Sequence, residues 1–511
     1  MIRLTFLLIG CLLTTGLSAQ PTLPFVDSLV EEALSQFPVA GVAVGIVQDG
    51  KIVHARGYGL REVDKPERVD AHTNFAVASH SKAFTTAALA LLVEEGKLSW
   101  DDKVRTHIPE FTLYDPYVTE HFTIRDLLSH RSGMSLGMGD LMIFPDGHDF
   151  TLSDILSSFR HFEPVSEFRT KFDYNNLLYL VAGEVIARVS GKPWKDFVRT
   201  RIVEPLGMDR SYTSIDGVKT LPNFATPHAH VGDALKPLPP YLDMVNGAAA
   251  GLYSNVDDMC RWMLLHLNEG RYGEALGQRL FSEASQAEMW RLHSVLPGRP
   301  GTRFYGYGLG WFLNDKDGQF VVSHSGGYPG MLSKTTLLPD LETGIVVLTN
   351  TSDAGGPLFS AITNTLVDHY LGKEDAGYTD RYAAFYENLV ADDRALLDSI
   401  YAAAQPLTRA EADRYVGEYE DPWFGKVTVT RQGEKLRMHC VRQPKFTGTM
   451  HYYGATTFAV DWDYEVWNAD VWATFQLDRE GQAKSLRLEG ISPNIDFSLD
   501  FQDLKLRRVE E

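Results

Sequence analysis

Residues 75–96 constrain the fold of this chain more than any other stretch of its sequence. The lead-in, residues 75–78, is small and apolar, and it is followed by an apolar run with helical spacing that Gly96 ends. We therefore predict that Ser79 lies at the start of a buried helix. Lys82 comes three residues later, so its side chain lies on the same helix face as the serine, one turn away.

A serine and a lysine in this arrangement suit nucleophilic chemistry. A serine hydroxyl attacks only when a base takes its proton, and a lysine becomes such a base when burial lowers its pKa. The positive end of the helix would stabilise an oxyanion formed beside it. The alternative is an ordinary helix cap by Ser79, because Ser-x-x-Lys is common on surface helices. The small and apolar neighbours of Ser79 favour the buried site.

A second candidate group consists of Tyr174 and Asn176, two residues apart just before an apolar helix that Gly191 ends. In an extended segment such side chains point the same way. A tyrosine beside a lysine ammonium can have its pKa lowered and exchange protons with a serine, and an asparagine offers a donor and an acceptor to a substrate amide. The alternative is structural, with Asn176 as the N-cap of the helix and Tyr174 as a packing residue.

A third candidate group is His324-Ser325-Gly326-Gly327, at the end of a predicted strand. Its glycines allow the backbone to approach a ligand closely. The alternative is a packing histidine at a strand end, followed by the glycines of a hairpin loop.

Two other residues, Ser135 and His130, are weaker catalytic candidates. Ser135 lies in a G-x-S-x-G sequence, residues 133–137, but that motif needs a strand before it and a helix after it. A predicted helix and turn precede it here, so we predict that Ser135 is a loop residue. His130 lies at the end of that short helix, where a histidine more often caps the helix than catalyses.

In this order, Ser79-x-x-Lys82, Tyr174-x-Asn176 and His324-x-Gly326 resemble the motifs of the penicillin-recognising serine hydrolases. That superfamily includes class C β-lactamases, low-molecular-weight penicillin-binding proteins, D-aminopeptidases and related esterases. The resemblance covers residues 24–372. It implies an α+β fold, a β-lactamase/transpeptidase-like domain in which an antiparallel sheet is flanked by helices and a helical subdomain lies beside it.

The resemblance also implies roles for these residues and no metal or organic cofactor. Ser79 would be the acylated nucleophile, while Lys82 and Tyr174 would share its proton and pass it to the leaving group. Asn176 would hold the substrate amide. The backbone N–H groups of Ser79 and Gly327, next to Gly326 in the third motif, would form the oxyanion hole.

The third motif departs from the β-lactamase pattern, which usually has lysine where this chain has His324. A histidine there resembles the peptidase and esterase branches, and it can shuttle a proton near neutral pH. We therefore expect a hydrolase of amide or ester bonds, such as those of D-amino-acid peptides. The alternatives are a β-lactamase or D-Ala-D-Ala carboxypeptidase acting on cell-wall peptides, and a catalytically idle protein that binds ligands with its C-terminal part.

The sequence pattern changes after the hydrolase-like region. Residues 373–406 are charged with apolar points at helical spacing, which predicts a helical linker. Residues 407–511 contain six short stretches that alternate with period two and are separated by turns, at residues 415–419, 426–430, 435–439, 457–460, 471–475 and 485–488. This pattern predicts a small antiparallel β-barrel domain that resembles a lipocalin-like domain. Such a barrel would gate the substrate or assemble a homo-oligomer, or it would be a stabilising appendage.

The N-terminal residues and the charge bear on location and partners. Residues 1–19 resemble an export signal, which predicts a periplasmic or secreted protein; Cys11 in a lipoprotein-type box is the alternative anchor. No later stretch is long and apolar enough to span a membrane. The formal net charge of −19 argues against nucleic acid and anionic membranes as partners. The resemblance to serine hydrolases implies a small molecule or short peptide as substrate.

We predict that a fluorophosphonate or penicillin-type probe labels Ser79 and not Ser135, because only Ser79 has a lysine one helical turn away. Mass spectrometry of the labelled peptides measures this. Labelling that survives Ser79→Ala and vanishes in Ser135→Ala would contradict the assignment.

Overall fold

An eight-stranded antiparallel sheet, the central sheet, lies at the middle of the N-terminal part of the molecule. This computed structural model describes residues 23–218, 220–241, 245 and 247–510, so the predicted signal segment and Cys11 lie outside the described residues. From one edge to the other, its strands are Lys51–Gly59, Gly41–Gln48, Thr343–Thr349, Met331–Leu338, Gln319–Tyr328, Phe312–Lys316, Tyr305–Tyr307 and Ser294–Val295.

Helices cover both faces of the central sheet, because the middle strands are apolar on both sides. Along Gly41–Gln48, Val42 and Val44 pack towards helices Pro24–Gln36 and Gly355–Tyr370. The opposite face packs against helix Val256–Leu267 and the helical subdomain. This arrangement confirms the predicted α+β fold.

Most of the remaining helices form the subdomain beside the sheet and the connection to the C-terminal part. The α-helices not yet mentioned are Ser81–Glu94, Val104–His107, Pro116–His121, Ile124–Leu128, Leu152–Ser158, Leu177–Ser190, Trp194–Val198, Gly247–Ala250, Glu283–Met289, Tyr378–Ala402 and Arg409–Ala412. Shorter 3₁₀ or π turns occur at Asp140–Met142, Phe159–His161, Arg199–Val203, Ile215–Gly217, Glu274–Leu276, Pro339–Leu341 and Phe501–Asp503. No helix among the described residues is both long and apolar enough to cross a bilayer.

Three small two-stranded sheets are also present among the described residues of the N-terminal part. They pair Phe75–Ala78 with Leu252–Ser254, His228–Val231 with Ala234–Pro237, and Arg271–Tyr272 with Gln278–Arg279.

The C-terminal part is a closed antiparallel barrel of eight strands, which confirms the predicted barrel. Six of the strands were predicted from period-two alternation; the strands Thr447–Gly454 and Leu506–Arg508 were missed because one contains two glycines and the other is only three residues long. The remaining six are Gly417–Asp421, Gly425–Gln432, Lys435–Cys440, Thr457–Trp462, Val471–Leu477 and Ala483–Gly490. The boundaries at residues 372 and 406 stay predictions.

The barrel packs on the helical subdomain through aromatic rings and ion pairs. Two ring pairs, Phe162 with Trp423 and Phe150 with Phe424, have centroids 5.4 and 6.0 Å apart. The Arg442 guanidinium lies over the Phe150 ring and also bonds the carboxylates of Asp149 and Asp154. The barrel therefore covers apolar surface of the hydrolase-like part.

We predict that a chain ending at Gln405 keeps its helical circular dichroism but melts at a lower temperature and binds a hydrophobic dye. The reason is that Phe150 and Phe162, both buried in the full chain, lose their covering rings. Arg442→Ala in the full-length chain is the matched control; its ion pairs are partly exposed and contribute about 0–1 kcal/mol, so the melting temperature of this variant should change little. Loss of helical signal in the truncated chain would instead make the two parts one cooperative unit.

Candidate active site

Ser79 lies where the sequence predicts, between strand Phe75–Ala78 and helix Ser81–Glu94. The preceding residue, Ala78, has φ of +46°, a strained conformation for a residue with a Cβ. This bend sets Ser79, half-buried, on the wall of a cavity of about 460 Å³.

Lys82 is fully buried and bonds Ser79. Its Nζ lies 3.0 Å from Ser79 Oγ, 2.7 Å from Asn176 Oδ1 and 3.1 Å from the carbonyl oxygen of Ala249. That carbonyl belongs to the short helix Gly247–Ala250, whose small residues let its backbone come this close. The two acceptors other than the serine, Asn176 Oδ1 and the Ala249 carbonyl oxygen, therefore orient the amine towards Ser79.

The electrostatics of Lys82 suit a base. Burial lowers the pKa of Lys82 to about 7, and nearby Asp140 opposes this shift. Burial also raises the pKa of Asp140 to about 7. Asn176 joins the two groups, because its Nδ2 donates to Asp140 Oδ2 at 2.7 Å while its Oδ1 accepts from Lys82. Near neutral pH an appreciable fraction of Lys82 is therefore unprotonated.

Tyr174 lies in the site, but the expected direction of its pKa shift is wrong. The centroid of its buried ring is 4.9 Å from Lys82 Nζ. The Tyr174 hydroxyl forms a hydrogen bond with Ser79. Burial raises the pKa of Tyr174 well above its usual value, and the bond to Ser79 offsets only part of this. Desolvation outweighs the neighbouring cation, so this phenol is a proton donor and not a phenolate.

Asn176 reaches the site because its neighbour does the capping. Asn176 makes no side-chain cap bond to helix Leu177–Ser190. Instead, Asn175 Oδ1 accepts from the backbone N–H of Leu178 at 3.1 Å. Asn176 therefore occupies the N-cap position, as the alternative expects, but its side chain does not cap the helix and instead connects Lys82 with Asp140.

His324 faces the same cavity as a neutral ring. Its Nδ1 lies 2.6 Å from the carbonyl oxygen of Ser325, which can only accept, so Nδ1 carries the proton and Nε2 accepts from the Tyr307 hydroxyl at 3.1 Å. Burial lowers the pKa of His324 well below its usual value, and Lys82 adds to this. Proton shuttling by His324 near neutral pH is therefore not supported.

Gly326 and Gly327 line the cavity at the end of strand Gln319–Tyr328. A Cβ on Gly326 would lie 2.2 Å from the carbonyl oxygen of Val77 and 2.9 Å from the backbone nitrogen of Ser79. The strand thus touches the backbone of the serine, and only glycine fits at this position.

The two weaker candidates are not reactive groups of this cavity. Ser135 lies in a loop, as predicted, and its hydroxyl donates to Asp503 of the barrel at 2.6 Å. His130 accepts from the backbone N–H of Asn175 and stacks on Tyr174 with ring centroids 4.2 Å apart. The His130 ring therefore packs against the ring of Tyr174.

Three contributors to the site escaped the sequence analysis. Asp140 lies in the glycine-rich loop after Ser135, and no motif marks it. Tyr307 is in a short strand far from every motif. Phe497 comes from the barrel, lines the cavity and meets the Tyr174 ring edge-on at 5.7 Å, which only the packing of the two parts reveals.

Sequence comparison gives two family matches. The profile described as Beta-lactamase matches residues 26–367, and the profile described as Domain of unknown function (DUF3471) matches residues 402–508. Among curated proteins, "Unguisins hydrolase ungD'" of Aspergillus campestris is 28% identical over 449 residues, which are 82% of this chain and 80% of that protein.

Two solved structures illustrate the shared fold. The octameric penicillin-binding protein homologue from Pyrococcus abyssi has a TM-score of 0.60 at 22% identity, covering 94% of this chain and 99% of that one. The D-amino acid amidase from Ochrobactrum anthropi has a TM-score of 0.57 at 20% identity, covering 68% of this chain and 98% of that one.

We predict that Gly326→Ala destabilises the protein by about 1–3 kcal/mol and slows probe labelling of Ser79, because its Cβ would push the strand away from the serine. Denaturant unfolding and the labelling rate measure the two effects. The control is Gly356→Ala, whose Cβ would have its nearest neighbour at 3.7 Å. Unchanged stability and labelling in Gly326→Ala would show that the contact is not tight.

Proposed function

The chain belongs to the beta-lactamase family of serine hydrolases, and we propose that it cleaves amide or ester bonds through an acyl-enzyme on Ser79. The observation that carries this proposal is the 3.0 Å contact between Lys82 Nζ and Ser79 Oγ, made by a lysine whose pKa burial lowers to about 7. Both requirements of a nucleophile and its base, distance and pKa, are met.

The proposed acylation step moves one proton. Unprotonated Lys82 takes the proton of the Ser79 hydroxyl as Oγ attacks the substrate carbonyl. The backbone N–H groups of Ser79 and Gly327 hold the resulting oxyanion, a contribution of about 3–4 kcal/mol per donor. As the bond to the leaving group breaks, the leaving group takes the Tyr174 hydroxyl proton, and Lys82 returns its proton to Tyr174.

Deacylation runs the same proton path in reverse. Water attacks the acyl carbon and gives a proton to Lys82 as its oxygen bonds to that carbon, which forms a second tetrahedral species. The bond between the acyl carbon and Ser79 Oγ then breaks, and Oγ takes the proton back from Lys82. No group outside Ser79, Lys82 and Tyr174 is needed to balance the two steps.

The third motif favours uncharged substrates over β-lactams. His324 is neutral, so it offers no permanent cation to a β-lactam carboxylate. The cavity walls are mostly apolar and aromatic, with Phe172, Phe312 and Phe497 among them, and suit apolar substrate groups. The similarity to a D-amino acid amidase supports amide hydrolysis, and the similarity to an unguisins hydrolase supports hydrolysis. A β-lactamase or carboxypeptidase is the second candidate.

The free-energy cost of burying Lys82 argues against a catalytically idle protein that only binds ligands. A fully buried lysine without a full carboxylate partner is unfavourable, and a protein without catalysis gains nothing from it. We also propose export through residues 1–19, a lipocalin-like character for the barrel and a homo-oligomer; the octameric state of the Pyrococcus abyssi homologue supports the last of these.

The test compares an aryl ester, a D-amino-acid amide and nitrocefin at a series of pH values, with the native chain and His324→Lys. We expect the native chain to prefer the ester or amide, and kcat/KM to rise with pH through about 7 as Lys82 loses its proton. His324→Lys should improve nitrocefin turnover by about one to two decades. In His324→Lys, kcat/KM should still rise with pH, but the rise should occur at a lower pH, because an added cation disfavours the Lys82 ammonium. We call this rise of the rate with pH the acidic limb of the pH profile.

Two outcomes would count against this function. A native chain that prefers nitrocefin by orders of magnitude would make it a β-lactamase. An acidic limb that vanishes in His324→Lys would make the histidine, and not Lys82, the group whose ionisation controls the rate.

A further inference from the structure

The segment between the last two barrel strands reaches Asp140, beside the lysine of the active site, through Ser498, which bonds Asp140, and through the buried carboxyl group of Asp500. Asp500 lies in the segment between the last two barrel strands and is fully buried. Its two oxygens accept the backbone N–H groups of Gly139, at 2.7 Å, and Leu141, at 2.9 Å. These two residues flank Asp140, so Asp500 holds the backbone on both sides of it.

From Asp140 the contacts continue to the serine without a gap. Asp140 accepts from the amide of Asn176 at 2.7 Å, that amide accepts from Lys82 at 2.7 Å, and Lys82 lies 3.0 Å from Ser79. Every member of this series except Ser79 is at least nine-tenths buried, so solvent does not screen it.

We propose that Asp500 is a positioning residue of the active site: by holding the turn Asp140–Met142, it keeps Asp140 on Asn176 and so sets the protonation and orientation of Lys82. This rests on the proposed function of Lys82 as the base. The barrel is then a part of the catalytic machinery of the N-terminal domain, and not an appendage to it.

Among the titratable groups around Lys82, Asp140 is the one that stabilises the Lys82 ammonium. The titratable residues that face Lys82 or act on it are His80, His130, Tyr174, Tyr179, His324 and Asp140. Burial lowers the pKa of all three histidines and raises the pKa of both tyrosines, so these five are neutral near pH 7. Asp140 is the member of this set that favours the Lys82 ammonium.

Asp140 is itself surrounded by acids. Asp496 and Asp500 act on it, and Asp503 acts on Asp500. Burial raises the pKa of Asp500 well above its usual value, and Asp140 and Asp503 add to this. The role of Asp500 is therefore to accept two N–H groups, which an asparagine in its place can do with only one oxygen.

The test is the rate of fluorophosphonate labelling of Ser79 against pH in the full-length chain, because this readout needs no identified substrate. In Asp500→Asn, one backbone N–H of the turn loses its acceptor and Asp140 shifts off Asn176. We expect labelling at the optimum to fall about tenfold or more, as misplacement of a catalytic group by an ångström does. The acidic limb should move to lower pH by about half a unit or more, since Lys82 loses its nearby anion.

Two variants make the result decisive. Asp503→Asn changes the same surface between the barrel and the N-terminal part, but the asparagine oxygen can still accept from Ser135. The labelling rate of this variant should therefore rise over the same pH range as that of the native chain. Asp140→Asn should shift the limb in the same direction as Asp500→Asn, and the double variant should shift it no further. If Asp500→Asn does not fold, an Asp140→Asn variant whose rate rises over the same pH range as that of the native chain still overturns the proposal.

The outcomes separate this inference from the proposed function. A native chain that is not labelled at Ser79 overturns the proposed function. The native labelling rate should rise with pH near 7. If the rate of Asp500→Asn or of Asp140→Asn rises at the same pH as the native rate, the role of Asp500 is overturned and the proposed function is left intact. Equal shifts in Asp500→Asn and Asp503→Asn would make the effect general to barrel docking and would also overturn it.

Discussion

The structure depends on removing one lysine from water. Lowering the pKa of Lys82 from 10.5 to about 7 corresponds to about 5 kcal/mol against the ammonium. In the unfolded chain Lys82 is protonated up to about pH 10, so burial makes this residue a cost to folding that is full below pH 7 and declines as pH rises. The surrounding packing has to offset that cost, and the reward is an amine that can take a proton from Ser79 at neutral pH.

The resemblance of the motifs to a known family predicted the fold class, and local sequence pattern predicted several of the helices and strands. Spacing alone placed Ser79 and Lys82 at a helix start, because a buried helix needs an uninterrupted apolar run and residues three apart share a face. The helix Tyr378–Ala402 and six barrel strands followed from periodicity in the same way. These features are local, and the period of apolar residues encodes them directly.

What escaped prediction depends on contacts between distant segments. Asp140, Tyr307 and Phe497 reach the site only because three separate parts of the chain pack together. The direction of the Tyr174 pKa shift was also wrong, because the sequence shows the neighbouring lysine but not the burial that outweighs it. The adjacent residues Asn175 and Asn176 have different roles, one capping a helix and one bonding Lys82, and no local pattern distinguishes them.

The closed barrel has a consequence for how copies of this chain can associate. Its first and last strands, Gly417–Asp421 and Leu506–Arg508, pair with each other, so the barrel presents no free strand edge. Proteins with open edges join by extending a sheet from one chain into the next, which also exposes them to uncontrolled fibre growth. An assembly built on this barrel must instead match side chains across its outer face, so its specificity depends on side-chain shape and charge.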